Sequence, residues 1–167
     1  MTRTAGVVLV FAIIVVQALV MGRAVLALDI ALLVALALWL GGKWRVTSIM
    51  PYALGIVALA IHFAEEYATG FYREFPRVIG TAPWDESRFA AFNLAWLAVF
   101  VIAAVAARRG TSVAMILVLF FAIGAGIING VGHVALALLR GGYFPGLYTS
   151  PLMLASGIAV MRSLRRA

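Results

Sequence analysis

Cysteine is absent from this chain, and acidic residues are scarce, with 6 Asp and Glu against 13 Lys and Arg. The absence of cysteine excludes disulfides, thiolate metal ligands, iron–sulfur centres bound through cysteine and redox-active thiols. Charged residues make up 11 % of the sequence, less than half of the roughly 25 % that is usual in soluble domains. The composition therefore argues against a water-soluble domain.

Long apolar runs account for the shortage of charge. Hydrophobic residues make up 65 % of the sequence, and such runs are too apolar to remain in water. The sequence predicts an all-α, polytopic membrane helix bundle that forms a single domain over residues 1–167. A span needs about 20 residues, and the pattern predicts about six transmembrane helices: 5–22, 24–41, 50–70, 89–107, 112–139 and 147–161.

Residues 1–22 have a second interpretation. An arginine followed by an apolar run, as at Arg3, is also how a cleavable signal peptide begins. The run here is longer than the usual apolar core of such a peptide. We therefore predict an uncleaved first helix.

The basic residues are unequally divided between the two sides of the predicted spans. Positive residues are enriched in cytoplasmic loops, so eight residues against five favour a plasma (inner) membrane protein with both termini in the cytoplasm. Topology and anionic headgroups explain the net charge of +7, and no nucleic-acid partner is expected. The eight are Arg3, Lys43, Arg45, Arg108, Arg109, Arg162, Arg165 and Arg166, and the five are Arg23, Arg73, Arg77, Arg88 and Arg140.

Ionisable residues concentrate near the outer end of the third predicted helix. An acid at a helix centre costs about 2.5–3.5 kcal/mol on insertion scales, and such residues are functional by default. Glu65 and Glu66 follow His62 by three and four positions, which places all three near one helix face. Asn129 and His133 lie toward the outer end of the fifth helix, four positions apart, and therefore share one face of it. We therefore expect helices three and five to bring both imidazoles to a polar cavity that opens outward.

Two imidazoles and two carboxylates suit a divalent metal ion, Zn²⁺, Fe²⁺ or Mn²⁺. A catalytic zinc site needs about three protein ligands and an open position, and two histidines with one carboxylate also match non-haem iron sites. The spacing does not separate these possibilities. The candidate ligands are His62, Glu65, Glu66 and His133. The glutamate that is not a ligand, with Glu65 as the candidate, would act as acid or base, and Asn129 would orient water or substrate.

Aromatic and amide residues around this region are candidates for contact with a substrate. They are Asn93, Tyr143 and Tyr148. Asn93 lies one turn inside the outer start of the fourth predicted helix. Residues 143–146 (YFPG) predict an interfacial turn, after which Tyr148 and Thr149 are able to project back over the cavity. The aromatic stretch 71–88 is expected to be an amphipathic connector at the membrane surface.

Other polar and small residues have structural interpretations. Asp29 is expected to pair with Arg23 or Arg140. Gln17 is expected to form a hydrogen bond between helices, and this is also an alternative role for Asn93. The glycines between 124 and 132 are expected to let the fifth helix approach the third closely. Alternatively, they loosen the helix so that backbone carbonyls line a cavity.

Two regions of the chain resemble a known family. The motif HFAEE at 62–66, followed by Tyr67 and by GF at 70–71, resembles the signature of the HXXEE-motif family of small bacterial integral membrane proteins. The stretches NGVGH at 129–133 and YFPGLYT at 143–149 are similar to the second signature region of that family. Because the activity of the family is not settled, the resemblance implies a shared site and names no reaction.

The resemblance covers about residues 50–160. It implies a four-helix core over 50–161, to which residues 1–45 add two helices. The residue types of the cluster also resemble those of membrane sterol isomerases of the emopamil-binding type. Those enzymes place a histidine and glutamates in a lipid-facing helical cavity and shuttle protons without a metal.

We predict an integral membrane, metal-dependent enzyme, a hydrolase or an oxidoreductase, that acts on a lipid-like or small hydrophobic substrate. The substrate would enter from the outer leaflet, the site would open toward the extracytoplasmic side, and membrane lipids are expected partners. Two alternatives stay open. One is a metal-free acid–base lipid isomerase or cyclase, in which the glutamates share a proton. The other is a small membrane transporter or ligand-binding protein with an ion or ligand at the cluster.

Overall fold

The computed structural model describes residues 3–166, and within this range the chain forms a bundle of α-helices, which confirms the predicted fold class. Each of the six predicted apolar segments coincides with helical structure to within a few residues. A 3₁₀ turn (Gly22–Val25) joins the first two helices, and a π-helical segment (Phe121–Ile128) joins the sixth and seventh. In chain order the elements are α1 (Arg3–Met21), α2 (Leu26–Leu40), β1 (Trp44–Val46), α3 (Met50–Thr69), α4 (Phe71–Val78), α5 (Glu86–Arg108), α6 (Ala114–Phe120), α7 (Asn129–Arg140), α8 (Ser150–Arg162) and β2 (Leu164–Arg166).

Three helical runs are long and apolar enough to cross a membrane, Arg3–Leu40, Glu86–Arg108 and Ala114–Arg140. The first of these is a hairpin of α1 and α2, and Ser150–Arg162 is a shorter apolar helix. The membrane character that the composition indicates is therefore supported. The number of six spans and the cytoplasmic location of the termini stay predictions.

The α1–α2 hairpin is held by one close packing contact and one polar contact. The 3₁₀ turn starts at Gly22, whose φ is +67°. A Cβ on Gly6 would lie 2.8 Å from the indole of Trp39, so the two helices approach closely near their far ends. Gln17 donates a side-chain hydrogen bond to Asp29. The predicted interhelical bond of Gln17 is thus confirmed, and its partner is the aspartate that was expected to bind an arginine.

The two arginines proposed as partners of that aspartate bind elsewhere, so this prediction was wrong. Arg23 donates to the carbonyl oxygens of Ile79 and Gly80, both at 2.9 Å. Arg140 forms an ion pair with Glu74. Which residues pair depends on where the fold places them and not on their separation in sequence. Both arginines bind the segment that follows α3.

The stretch 71–88 contains α4 and a cluster of aromatic rings. Phe71 stacks on Phe75 with ring centroids 4.9 Å apart, and Trp84 stacks on Phe89 at 6.0 Å. The connector between α3 and α5 is therefore an ordered cover over the interior of the bundle.

Glycines bring the fifth predicted span into close contact with the last one. A Cβ on Gly126 would lie 2.4 Å from the Cα of Gly157, and a Cβ on Gly130 would lie 2.7 Å from the backbone nitrogen of Leu154. The expected close approach exists, but these two glycines contact α8 rather than α3, so the predicted neighbour was wrong. Small residues mark a contact surface without indicating which helix will occupy it.

A short antiparallel ladder that the sequence did not indicate joins the α2–α3 connection to the end of the chain. β1 pairs with β2, and Val46 lies opposite Leu164. The backbone N–H and the hydroxyl of Thr47 both donate to the carbonyl of Ser163, at 2.8 Å and 2.7 Å. This ladder lies at the start of α3, about 18 Å along the helix from His62 by the rise of an α-helix.

Candidate metal centre

Two histidines and one glutamate meet in the interior of the bundle. His62 and Glu66 are one turn apart in α3, and His133 comes from α7. The Nε2 atoms of the two histidines lie 3.2 Å apart. Glu66 Oε1 lies 3.4 Å from His62 Nε2 and 3.1 Å from His133 Nε2. All three side chains are buried, and we call them the His/Glu group.

Hydrogen bonds on the far side of each ring determine where its lone pair points. His133 Nδ1 lies 2.6 Å from Pro145 O, and it donates because a carbonyl oxygen only accepts. His62 Nδ1 lies 2.6 Å from Thr149 Oγ1. That hydroxyl donates to Glu65 Oε2 at 2.6 Å, so it accepts from His62. In neutral rings, both Nε2 atoms then carry lone pairs directed into the His/Glu group.

Three electron-pair donors therefore converge, and none of the three atoms carries a hydrogen of its own, although the amide of Asn129 donates one to His62 Nε2. In a buried site, converging lone pairs are unfavourable unless a cation lies between them, either a metal ion or a proton. Histidine ligands of metals show this same pattern, in which one nitrogen binds and the other donates its hydrogen to an acceptor. The residues present fit a divalent metal ion.

Asn129 lies beside both imidazoles, one turn before His133 in α7. Its Nδ2 donates to His62 Nε2 at 2.9 Å, and its Oδ1 lies 3.2 Å from His133 Nε2. The candidate catalytic residue Asn129 is thus in direct contact with the His/Glu group. Its amide offers one donor and one acceptor, which is what the orientation of a small polar molecule requires.

Glu65 lies outside this group, although the sequence placed it among the candidate ligands. Adjacent helical residues point about 100° apart, and Glu65 turns toward the loop before α8. Its carboxylate accepts hydrogen bonds from Tyr143 OH at 2.8 Å, Tyr148 N at 3.0 Å, Thr149 N at 2.8 Å and Thr149 Oγ1 at 2.6 Å. Glu65 therefore reaches His62 only through Thr149.

The two tyrosines proposed as substrate contacts lie on the outer side of Glu65. Tyr143 and Tyr148 stack with ring centroids 4.7 Å apart, and the side chain of Tyr148 is exposed. Partial burial, together with the hydrogen bond to Glu65, raises the pKa of Tyr143, so its hydroxyl stays a donor. Neither tyrosine lines the cavity beside the His/Glu group, whereas Asn93 does.

That cavity has a volume of about 190 Å³ and a mainly apolar wall. Its polar part consists of Glu66, Asn93, Asn129 and His133. Engineered apolar cavities of about 150 Å³ bind benzene, so this one is large enough for a small apolar molecule. The first two helices supply one side of the wall through Met21, Val25 and Leu28. The aromatic part of the wall consists of Phe71, Phe75, Trp84, Phe89, Trp96 and Phe100.

The structure adds contacts that the sequence did not indicate. Thr149 was expected over the cavity, but not as the hydrogen-bond acceptor for His62. The carbonyl of Pro145 and the hydroxyl of Thr149 direct the two imidazoles, and Phe71 lies with its ring centroid 5.3 Å from that of His133. A backbone carbonyl leaves no signal in the sequence. The sequence shows that 71–88 is rich in aromatic residues, but only the fold shows that these rings face the interior.

Fold and site together define an all-helical protein with a buried two-histidine, one-glutamate group and three helices apolar enough to cross a membrane. Residues 53–160 match the family described as "Protein of unknown function with HXXEE motif". The match covers more than half of the chain, so this protein belongs to the HXXEE family. No curated protein and no solved structure matches the chain. The histidine and the second glutamate of the motif are the two members of the His/Glu group that α3 supplies.

Proposed function

We propose that this protein is an integral membrane enzyme that uses a divalent metal ion, zinc or iron, to act on a lipid-like or small hydrophobic substrate. One observation carries the proposal. Both Nδ1–H groups are held by acceptors, while both Nε2 atoms converge with a buried glutamate. A histidine pair with only a structural role does not require three acceptors to face one another.

The metal ion would be held by His62 Nε2, His133 Nε2 and the carboxylate of Glu66. Three protein ligands leave at least one coordination position open, as in catalytic sites. When bound, the ion supplies Lewis-acid or redox chemistry at that position, which corresponds to a hydrolase or an oxidoreductase.

The chain itself binds and orients the substrate. The aromatic cavity takes up its apolar part and excludes water, and Asn129 orients the polar group that reaches the His/Glu group. Glu65 accepts four hydrogen bonds from the 143–149 turn. We therefore assign to Glu65 the positioning of Thr149 and, through it, of His62. The predicted orientation places this end of the bundle at the outer leaflet, from which an apolar substrate would enter.

Metal analysis of the purified protein after loading with zinc or iron tests the proposal. We expect about one ion per chain in the wild type, and loss of binding in His62→Ala and His133→Ala. The adjacent glutamates form a matched pair. Glu66→Gln removes a ligand and abolishes stoichiometric binding, whereas Glu65→Gln removes an indirect support and weakens binding by about 10–100-fold.

A wild-type protein that contains no metal and does not respond to added Zn²⁺ or Fe²⁺ would contradict the proposal. So would equal metal affinity in Glu65→Gln and Glu66→Gln.

One contact favours a second candidate, a metal-free acid–base lipid isomerase or cyclase. His133 Nε2 and Glu66 Oε1 lie 3.1 Å apart, which is a distance suited to a shared proton. Turnover that persists unchanged in a strong chelator would favour this candidate over the metal-dependent one.

A further inference from the structure

Basic side chains from three segments line one cavity at the end of the bundle opposite the His/Glu group. Arg3 begins α1, Lys43 and Arg45 belong to the α2–α3 connection, and Arg108 ends α5. The cavity has a volume of about 720 Å³. We call this feature the basic groove.

Specific contacts build the groove from chain segments that are distant in sequence. Trp39 Nε1 donates to Ser112 O at 2.9 Å, which ties the end of α2 to the α5–α6 turn. Trp44 Nε1 donates to Leu38 O at 2.7 Å, which folds the connection back on α2. The β1–β2 ladder fixes the other side of this connection. The groove is therefore a preformed part of the fold.

The ladder places a second arginine beside one that lines the groove. Arg45 lies directly opposite Arg165 in the register of β1 and β2. Opposite residues in an antiparallel pair share a face with Cβ atoms about 5 Å apart, and like charges there are destabilising. A pairing of two arginines is favourable when an anion lies between or beside them.

The protein supplies no such anion. All 6 acidic residues of the chain lie within the described range 3–166, and none of them lines the groove. Their side chains bind elsewhere, as shown by Gln17 with Asp29, Thr149 with Glu65, His62 with Glu66, Arg140 with Glu74, Ser87 with Asp85 and Tyr67 with Glu86.

We infer that the basic groove binds the phosphate of an anionic phospholipid headgroup. The neighbouring surface favours a lipid as the source of that phosphate. Ile102 and Val105 are 66 % and 46 % exposed within the last two turns of α5, and Arg108 follows at i+3 from Val105. Acyl chains can lie along this apolar face while the headgroup reaches the arginines. Clustered basic residues at the end of membrane helices attract anionic lipids in this way.

Thermal unfolding of the full-length protein in a mild detergent tests this inference. We expect phosphatidylglycerol to raise the Tm of the wild type by about 5 °C or more at saturation, with little effect of phosphatidylcholine, inorganic phosphate or glycerol 3-phosphate. The double variant Arg45→Gln/Arg165→Gln should lose the phosphatidylglycerol shift. Its Tm without lipid should not fall, because the substitutions also remove a like-charge pair.

The double variant Arg88→Gln/Arg109→Gln is the matched control, since it removes the same charge from exposed positions that belong neither to the groove lining nor to the β1–β2 ladder. It should keep the shift. An equal shift with phosphatidylcholine, or a full shift in Arg45→Gln/Arg165→Gln, would overturn the inference. A full shift with inorganic phosphate alone would identify a free anion as the occupant and overturn the assignment to a lipid.

Discussion

At the end of the bundle where α3 terminates, acidic groups are matched by donors within the protein, whereas at the end with the β1–β2 ladder arginines lie beside other arginines. Glu65 has four donors from one turn, and Glu74 contacts both Arg77 and Arg140. By contrast, Arg45 has Arg165 directly across the ladder.

We propose that the two ends of the bundle bind opposite kinds of ion. In the His/Glu group three acceptors converge, so the partner that we propose there is a cation. Basic residues line the groove and no acidic residue does, so the partner that we propose there is an anion. A buried or crowded charge that the chain itself does not balance is a sign of a ligand.

The largest expected effect comes from breaking the His/Glu end at Gly146. This residue has a φ of +87°, and a Cβ there would lie 2.3 Å from Cε1 of the His133 ring. Since that ring is buried and held by Pro145, it has no room to move. We expect Gly146→Ala to lower the free energy of unfolding by more than about 3 kcal/mol and to abolish metal binding, as measured by chemical unfolding and metal analysis.

Gly141→Ala is the control for backbone strain. Gly141 has a φ of +71° with nothing within 4 Å of an added Cβ, so only the left-handed conformation costs energy, about 1–2 kcal/mol. Metal binding should survive. Equal losses in the two alanine variants would show that the contact with His133 is not decisive.

The next largest effect tests whether the two ends of the bundle bind their ligands independently of each other. His62→Ala should lose the Tm increase caused by Zn²⁺ and retain the increase caused by phosphatidylglycerol. Arg45→Gln/Arg165→Gln should do the reverse. Sites more than about 10 Å apart usually contribute additively. Loss of both responses in either variant would mean that the ends are coupled or that the variant is misfolded, and circular dichroism separates these outcomes.

The smallest effect concerns the pH dependence of stability at the Glu74–Arg140 ion pair. The hydrogen bond and charge of Arg140 lower the pKa of Glu74. A carboxyl with a lowered folded-state pKa stabilises the protein above its unfolded pKa of about 4.3, and this contribution disappears as the pH falls through the folded value. Glu74→Gln should therefore flatten the acid side of the stability profile, by less than about 1 kcal/mol because the pair is partly exposed.

Arg140→Gln should produce the same flattening in thermal unfolding from about pH 6 to pH 3. Identical acid profiles in the wild type and both variants would contradict this account of the pair.

Local periodicity made much of the site predictable. The i, i+4 spacing brings His62 and Glu66 to one face of α3, and it does the same for Asn129 and His133 in α7. The segregation of these residues toward one end of their helices indicated that they would meet. The same spacing did not distinguish Glu65 from Glu66, because both lie within reach of the histidine on an isolated helix.

The sequence by itself determined the helical fold, the approximate helix bounds and the residue types of the site, since apolar periodicity and helical spacing act within one segment. The tertiary structure alone decided which glutamate joins the imidazoles, which helix packs against Gly126 and Gly130, and which arginines face each other across the ladder. These outcomes depend on contacts between residues up to 120 positions apart in the chain, Arg45 with Arg165 being the longest of them. Packing in three dimensions selects such partners, and no local sequence pattern indicates which residues will meet.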